Sequence, residues 1–229
     1  MQPSTVSEPI RQRILQRRGK LRIFTHLDVS KMVLVIVDMQ NVFCEPGGAL
    51  EIAASRDTAD NINRLADACR AAKIPVVWIR SYHPAGGADW KMFFDYFISP
   101  ERGKMAAEQL LADHPGSQIY SEMRVAPSDF IVSKNRYSCF IPGSSSLERL
   151  LRSQNRDTII ICGTRSNVCC ESTTRDAMML DFKVLFVSDG TSAMSAAEHQ
   201  ATLDTLAQSF ADVVTTDEVI RDIEGASKI

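Results

Sequence analysis

The chain has 229 residues, of which 45% are hydrophobic and 24% are charged. This composition is typical of a single domain of generous size that can bury its own core. The formal net charge is −2, so no strong positive field favours nucleic acid or an anionic membrane as a partner. No apolar run approaches the roughly 18 residues that a membrane-spanning helix needs. The first residues also lack the hydrophobic core of a secretion signal.

Six cysteines are distributed along the chain without a CxxC pair and without zinc-finger spacing. They lie in apolar runs and on predicted helix faces, a distribution that is typical of reduced thiols. We therefore expect a cytoplasmic protein that uses neither a metal nor a cofactor.

Residues 1–30 differ from the rest of the chain because they carry a basic cluster around a few apolar residues. The basic residues are Arg11, Arg13, Arg17, Arg18, Lys20 and Arg22. An arm that binds nucleic acid is one interpretation, but six charges on a nearly neutral protein are more typical of a solvated extension. We expect an amino-terminal arm over 1–30, packed on its own or a neighbouring subunit, and a single domain over 31–229.

From residue 31 onward, apolar runs of strand length alternate with segments of helical spacing. The first run ends at Asp38, and a loop that contains Pro46 leads to a helix over 57–73. The later predicted strands lie over 75–80, up to Lys134, over 159–162, over 183–187 and over 212–215. An aromatic-rich stretch over 82–125 separates the first two of them. The later predicted helices lie over 144–153, from the cysteine motif to about 181, over 196–209 and from 216 onward. This alternation predicts an α/β fold with a six-stranded, mostly parallel sheet and helices on both faces, which is a three-layer αβα sandwich.

Three polar residues follow three of the predicted strands. Asp38 ends a run of six apolar residues, Lys134 follows the apolar run 130–132, and Cys169 follows the run 159–162 where a helical pattern begins. The carboxyl ends of parallel strands lie at one edge of the sheet, where open α/β folds bind their ligands. A cysteine alone is more often a buried core residue, but the three residues together predict a site.

These segments resemble the isochorismatase-like cysteine hydrolases, a family that includes nicotinamidases, N-carbamoylsarcosine amidases and ureidoacrylate amidohydrolases. The similarity extends from residue 32 to about residue 219, and its motifs are VIVDMQNVF at 35–43, SKNRYSCF at 133–140 and CGTRSNVCCESTTRDA at 162–177. It implies a Rossmann-like αβα fold and a catalytic triad of Asp38, Lys134 and Cys169. The family pattern selects Cys169 rather than Cys170, which occupies a place that usually holds valine.

A cysteine hydrolase needs a thiolate, a proton carrier and donors for a developing oxyanion. The gap of about 4.6 units between the ordinary pKa values of a thiol and an aspartate corresponds to roughly 6 kcal/mol. A helix terminus supplies at most about 2 kcal/mol, so Lys134 is also needed to favour the thiolate. We expect Asp38 to take the thiol proton and Cys169 to attack an amide or ureido carbonyl, which forms a thioester. The resemblance also implies an oxyanion hole from the backbone N–H groups of Arg165 and Cys169, with a cis peptide between Thr164 and Arg165.

Five residues near the motifs are candidates for substrate binding. They are Asn41, His83, Trp90, Arg136 and Tyr137. The run KNRYS at 134–138 resembles the ureidoacrylate branch of the family, and its arginine, or Arg165, is suited to a substrate carboxylate. Nicotinamidases carry an Asp-Trp-His type motif that binds a metal, whereas this chain has Ser81-Tyr82-His83. The serine argues against a metal site and against nicotinamide as substrate.

Other functions remain open at this point. An isochorismatase would cleave a vinyl ether without a nucleophilic cysteine, so Cys169 argues against it. A thiol redox sensor that uses Cys169 and Cys170 is another alternative, and a catalytically silent interaction module is a third. Both leave the alignment of Asp38 and Lys134 unexplained. The leading prediction is an amidohydrolase for a small molecule, and the resemblance implies a homodimer or homotetramer.

Overall fold

The computed structural model describes residues 2–226, in which six strands form one sheet. The strands are β1 (Met32–Val37), β2 (Val76–Ser81), β3 (Phe130–Lys134), β4 (Thr158–Thr164), β5 (Lys183–Ser192) and β6 (Asp212–Val214). Their order across the sheet is β3-β2-β1-β4-β5-β6, and every neighbouring pair is parallel. The predicted α/β class with six strands is confirmed, and the sheet is parallel throughout.

Helices cover both faces of this sheet. The α-helices of the same residues are α1 (Glu8–Arg18), α2 (Asn41–Cys44), α3 (Ala59–Ala71), α4 (Pro100–Gln109), α5 (Leu147–Ser153), α6 (Glu171–Met179), α7 (Ala196–Ser209) and α8 (Thr216–Ala226). Apolar residues of α3 and α8 share a buried cluster with one face of the sheet. Apolar residues of α5, α6 and α7 share another cluster with the opposite face. This arrangement is the predicted three-layer sandwich.

The central strand β1 shows why its sequence is an unbroken apolar run. All six of its residues are buried. Leu34 and Ile36 contact the cluster that includes α3 and α8, whereas Val33 and Val35 contact the cluster on the other face. A strand that is covered on both sides has no position for a polar side chain.

The strand order places a crevice at the centre of the sheet. The chain builds β1, β2 and β3 toward one edge and then returns to place β4 on the other side of β1. Connections leave the carboxyl ends of β1 and β4 in opposite directions, and ligands of open α/β sheets bind at such a switch point. Asp38 follows β1, and the segment with Cys169 follows β4, so both lie at this point.

The residues before β1 pack on the body of the same chain. Ile14 of α1 is buried, and the backbone N–H of Ser7 donates to the carboxylate of Asp204 in α7 (2.7 Å). Arg22 forms an ion pair with Asp222 of α8 at 2.6 Å. Part of the basic cluster is therefore paired with acidic groups of its own domain.

Three α-helices lie in segments for which the sequence predicted no element. These are α1 in the arm, the four-residue α2 in the loop after β1, and α4 in the aromatic-rich stretch. Ile14 is the buried residue of α1, and α4 buries small residues such as Ala106. Their apolar spacing was therefore too weak to indicate a helix. No helix within residues 2–226 has the length and apolar character to cross a membrane.

Candidate active site

Asp38 is the first residue after β1, and its side chain is buried at the carboxyl edge of the sheet. Its backbone is left-handed, with φ of +53°, a conformation that aspartate adopts more readily than most residues. Oδ1 accepts a hydrogen bond from Ser81 Oγ (2.9 Å), and Oδ2 lies 2.7 Å from Lys134 Nζ. Both carboxylate oxygens therefore contact other strand-end residues.

Lys134 is the last residue of β3, and its side chain is also buried. Besides Asp38, its Nζ contacts Cys169 Sγ (3.5 Å) and the carbonyl oxygen of Arg136 (3.1 Å). Burial lowers the pKa of Lys134, but the neighbouring charge of Asp38 and the contact with Cys169 more than offset this and raise the pKa above its ordinary value. Lys134 is therefore an ammonium ion in the site.

Ser81 joins the two charged residues, and the sequence-based prediction did not include it in the site. Strand β2 lies between β1 and β3, so its last residue lies between Asp38 and Lys134. Ser81 Oγ accepts from Lys134 Nζ (2.7 Å) and donates to Asp38 Oδ1 (2.9 Å). Gln40 accepts from the Ser81 backbone N–H (2.7 Å) and donates to its carbonyl (2.9 Å). The available signal was the position of Ser81 at the end of the intervening strand.

Cys169 lies in a π-helical turn, Ser166–Cys170, that leads from β4 into α6. Gly163 allows the end of β4 to lie close beside β1. Its φ is +112°, and a Cβ atom there would collide with the carbonyl oxygen of Val37. The sulfur is thereby placed next to the strand that carries Asp38.

Buried polar contacts hold the segment that leads to Cys169. The peptide bond between Thr164 and Arg165 is cis, at the position that the resemblance implied. Ser55 Oγ donates to Thr164 Oγ1 (2.9 Å), and Ser166 Oγ lies 3.0 Å from His199 Nδ1. The backbone of this segment is therefore fixed from both sides of the sheet edge before any substrate binds.

The thiol of Cys169 is protonated in the resting site. Burial raises its pKa above the ordinary value; Lys134 opposes this shift, and Asp38 adds to it. The sequence analysis expected Lys134 and the helix terminus to favour the thiolate, but burial outweighs them. The nearest carboxylate is that of Asp38, which contacts the same Lys134 ammonium as the sulfur.

A cavity of about 340 Å³ opens over Ser81, Lys134 and Cys169. Three of the five predicted substrate-binding residues line it, and they are His83, Trp90 and Tyr137. The other lining side chains are mostly apolar, while Arg102 and Arg165 add two guanidinium groups and Glu51 adds one carboxylate. The cavity thus combines the candidate catalytic groups with an apolar wall and a few charged groups, of which two are cationic.

The apolar wall is built from stacked rings. We call His83, Trp90, Phe93 and Tyr137 the aromatic wall. Trp90 is its centre, with ring centroids 4.7 Å from Tyr137, 5.2 Å from Phe93 and 5.9 Å from His83. Edge-to-face and stacked contacts of this kind stabilise a fixed arrangement of rings. The wall is therefore formed before substrate binds.

His83 is a neutral member of the wall. Its Nδ1 lies 2.9 Å from Asp89 Oδ1, and burial lowers its pKa although Asp89 opposes the shift. The residues present do not fit the metal site of nicotinamidases, because the hydroxyl of Ser81 already contacts Asp38 and Lys134. Within residues 2–226, no group of three or more His, Cys, Asp or Glu side chains is arranged to hold a metal.

Asn41 and Arg136 do not belong to the cavity lining, so the structure does not place these two predicted substrate-binding residues against a substrate. Asn41 Nδ2 donates to the carbonyl of Pro115 (2.9 Å), and Arg136 donates to the carbonyl of Asp89 (2.8 Å). The Asn41 side chain thus contacts a loop, whereas the Arg136 guanidinium also lies over the Trp90 ring, 5.2 Å from its centroid. Proximity in sequence to Asp38 or Lys134 did not determine the direction of these side chains.

A thiol, an ammonium and a carboxylate thus lie together at the switch point of a parallel αβα sandwich, where proteins of this architecture bind their ligands. The family model of the isochorismatase domain matches residues 32–218. The chain therefore belongs to the isochorismatase family.

Relatives of known name cover most of the chain. The ureidoacrylate amidohydrolase RutB of Variovorax paradoxus is 30% identical over 215 residues, which are 88% of this chain and 84% of the relative. Nicotinamidase 3 of Arabidopsis thaliana is 29% identical over 194 residues, which are 84% of this chain and 88% of the relative. The crystal structure of a cysteine hydrolase from Pseudomonas syringae pv. phaseolicola matches this chain with a TM-score of 0.79 and 36% sequence identity. The match covers 87% of this chain and 95% of the hydrolase chain. The family that the motifs indicated is confirmed.

Proposed function

We propose that this chain is a cysteine-dependent amidohydrolase that cleaves a carbon–nitrogen bond of a small amide, ureido or carbamoyl compound through a thioester. One observation carries the proposal: Lys134 Nζ lies 2.7 Å from Asp38 Oδ2 and 3.5 Å from Cys169 Sγ within one buried site. A nucleophile, a proton carrier and a fixed cation are the groups that covalent acyl transfer requires.

The class of reaction follows from the family and its named relatives. The chain is a hydrolase that acts on carbon–nitrogen bonds other than peptide bonds, since its relatives include ureidoacrylate amidohydrolases and a nicotinamidase. The triad and the thioester are the finer part of the proposal, and the geometry of the site supports them.

The reaction begins when Asp38 accepts the thiol proton and Cys169 Sγ attacks the carbonyl carbon. The backbone N–H groups of Arg165 and Cys169 hold the developing oxyanion, while the ammonium of Lys134 balances the charge beside it. Asp38 then returns the proton to the departing nitrogen, and the carbon–nitrogen bond breaks to leave a thioester. Asp38 next deprotonates a water, whose oxygen attacks the thioester. The sulfur leaves and recovers a proton from Asp38, and the acid is released.

The cavity favours a compact, planar substrate that carries an anionic group. Its volume of about 340 Å³ and its aromatic wall suit a small unsaturated body. Arg102 and Arg165 are suited to a carboxylate. A small ureido acid, the type of substrate for which RutB is named, combines these features.

The competing functions have less support. Cys170 is fully buried, and its Sγ lies 4.0 Å from the carbonyl oxygen of Cys162, so the structure does not favour a redox pair with Cys169. An isochorismatase-type ether hydrolase would have no use for a thiol in contact with Lys134 and Asp38.

The test is ammonia release from a panel of nicotinamide, ureidoacrylate, N-carbamoyl amino acids and maleamate. Cys169→Ala should lose at least about a thousandfold in turnover, because the nucleophile is absent. Cys170→Ala is the matched control, since it removes the neighbouring thiol, and it should keep turnover. Substantial turnover by Cys169→Ala would overturn the proposal.

A further inference from the structure

We propose that Ser81 is a positioning residue that determines which oxygen of Asp38 takes the proton from Cys169. The inference rests on the proposed function, because it concerns the base of that reaction. Ser81, Asp38 and Lys134 are 7%, 0% and 2% exposed, so solvent does not compete for their hydrogen bonds.

The direction of the Ser81 hydroxyl follows from its two partners. Lys134 can only donate hydrogen bonds, and a carboxylate can only accept them. Lys134 Nζ lies 2.7 Å from Ser81 Oγ, so the serine oxygen is the acceptor in this contact. The single hydroxyl proton therefore points at Asp38 Oδ1, 2.9 Å away.

This direction occupies Oδ1 with a donated hydrogen bond, and the hydroxyl cannot turn toward Lys134, which is a donor. Oδ2 is buried and, within residues 2–226, accepts no hydrogen bond of good geometry; its contact with Lys134 is an ion pair. The proton from Cys169 therefore binds Oδ2. Oδ2 and the sulfur both contact the same Lys134 Nζ, at 2.7 Å and 3.5 Å, so this oxygen lies on the side of the nucleophile.

The backbone of Ser81 is held independently of any substrate. Gln40 bonds both its N–H (2.7 Å) and its carbonyl (2.9 Å), and the same amide donates to the carbonyl of Ser117 (2.7 Å). The hydroxyl is thus fixed in place by the end of β2. It acts on the reaction only through Asp38 and Lys134.

Ser81→Ala tests the inference through kinetic quantities that a purely structural role would not change. We expect kcat to fall about ten- to a hundredfold, the size of a lost hydrogen bond to a charged group, while KM stays within about twofold. Ser81→Thr keeps the hydroxyl and should recover most of kcat.

Ser188→Ala is the matched control. Ser188 is a buried serine of β5 whose Oγ lies within hydrogen-bond distance of the carbonyl oxygens of Ser4 (2.7 Å) and Val214 (3.1 Å), and it has no hydrogen bond to the triad. This variant should keep the kcat and the KM of the wild type. If Ser81→Ala does not fold, Ser81→Cys, a weaker donor, should show the same changes at smaller size.

A wild-type kcat in Ser81→Ala would overturn the inference, as would equal losses in Ser188→Ala or no recovery in Ser81→Thr. The proposed function fails separately. If Cys169→Ala retains turnover, the reaction does not use the thiol and the proposed function is wrong. If turnover depends on Cys169 but not on Ser81, only the inference about Ser81 is wrong.

Discussion

The strand ends and the cavity wall are positioned in different ways. Asp38, Ser81 and Lys134 are fixed by β1, β2 and β3, whose register ties each residue to its neighbours. The aromatic wall comes largely from the segment between β2 and β3, where Trp90 is held by contacts with other rings. The sheet therefore positions the candidate catalytic groups, and the segment between β2 and β3 determines the shape of the cavity.

This difference separates two kinds of substitution. A change at a strand end alters buried charges, so it should affect both stability and the rate of the chemical step. A change in the aromatic wall alters contacts with the substrate and should affect binding.

Lys134→Met should have the largest effect, because it removes the buried cation and leaves the charge of Asp38 without its partner. Loss of one partner from a buried pair costs about 3–5 kcal/mol in the free energy of unfolding. Turnover should fall about a thousandfold, as expected when the proton carrier loses its partner. Urea unfolding and ammonia release measure the two effects.

The double variant Asp38→Asn with Lys134→Met sharpens this prediction. It has no unpaired buried charge, so much of the lost free energy of unfolding should return, while turnover should stay low. Recovery of turnover together with stability would show that the ion pair has only a structural role.

Trp90→Leu should affect binding more than chemistry. The loss of one aromatic face is worth about 1–1.5 kcal/mol, so KM should rise about tenfold with kcat within about twofold. Tyr96→Leu is the control, because Tyr96 lies in the same segment but is 77% exposed and outside the cavity lining. A large drop in kcat for Trp90→Leu would contradict the separation.

His83→Gln should have the smallest effect, visible in the pH dependence of stability. Burial lowers the pKa of His83, so the unfolded chain binds a proton more readily than the folded one. The buried, neutral His83 therefore contributes to the stability of the folded state above about pH 6.5, and this contribution is lost as the pH falls below that value. The melting temperature should therefore drop less between about pH 7.5 and about pH 5.5 in His83→Gln than in the wild type.

His26→Gln is the matched control, because the His26 side chain is exposed. It should keep the wild-type dependence on pH. Equal curves for His83→Gln and the wild type would show that His83 does not contribute to this loss.

The sequence was sufficient to predict the six strands and the convergence of Asp38, Lys134 and Cys169. Each of these residues follows an apolar run of strand length, and a parallel sheet brings the carboxyl ends of such runs to one edge. Strand β1 is apolar throughout and buried on both faces, so its position could be predicted without assigning its side chains to either face.

The contacts made by loop side chains could not be predicted from sequence. Asn41 and Arg136 lie next to motif residues, yet their hydrogen bonds go to the carbonyls of Pro115 and Asp89. Ser81 was noticed only as a departure from a metal motif, because its two partners come from neighbouring strands. The protonation of Cys169 depends on burial, which no local pattern indicates.

The most direct test of the central claim is mass spectrometry of the enzyme after acid quenching during turnover of the best substrate in the panel. The thioester mechanism predicts an adduct with the mass of the acyl group on the peptide that contains Cys169. The adduct should be released by hydroxylamine and be absent from Cys169→Ala. The thioester mechanism would be contradicted if the enzyme turned over steadily with no adduct on Cys169 and if Cys169→Ala kept its activity.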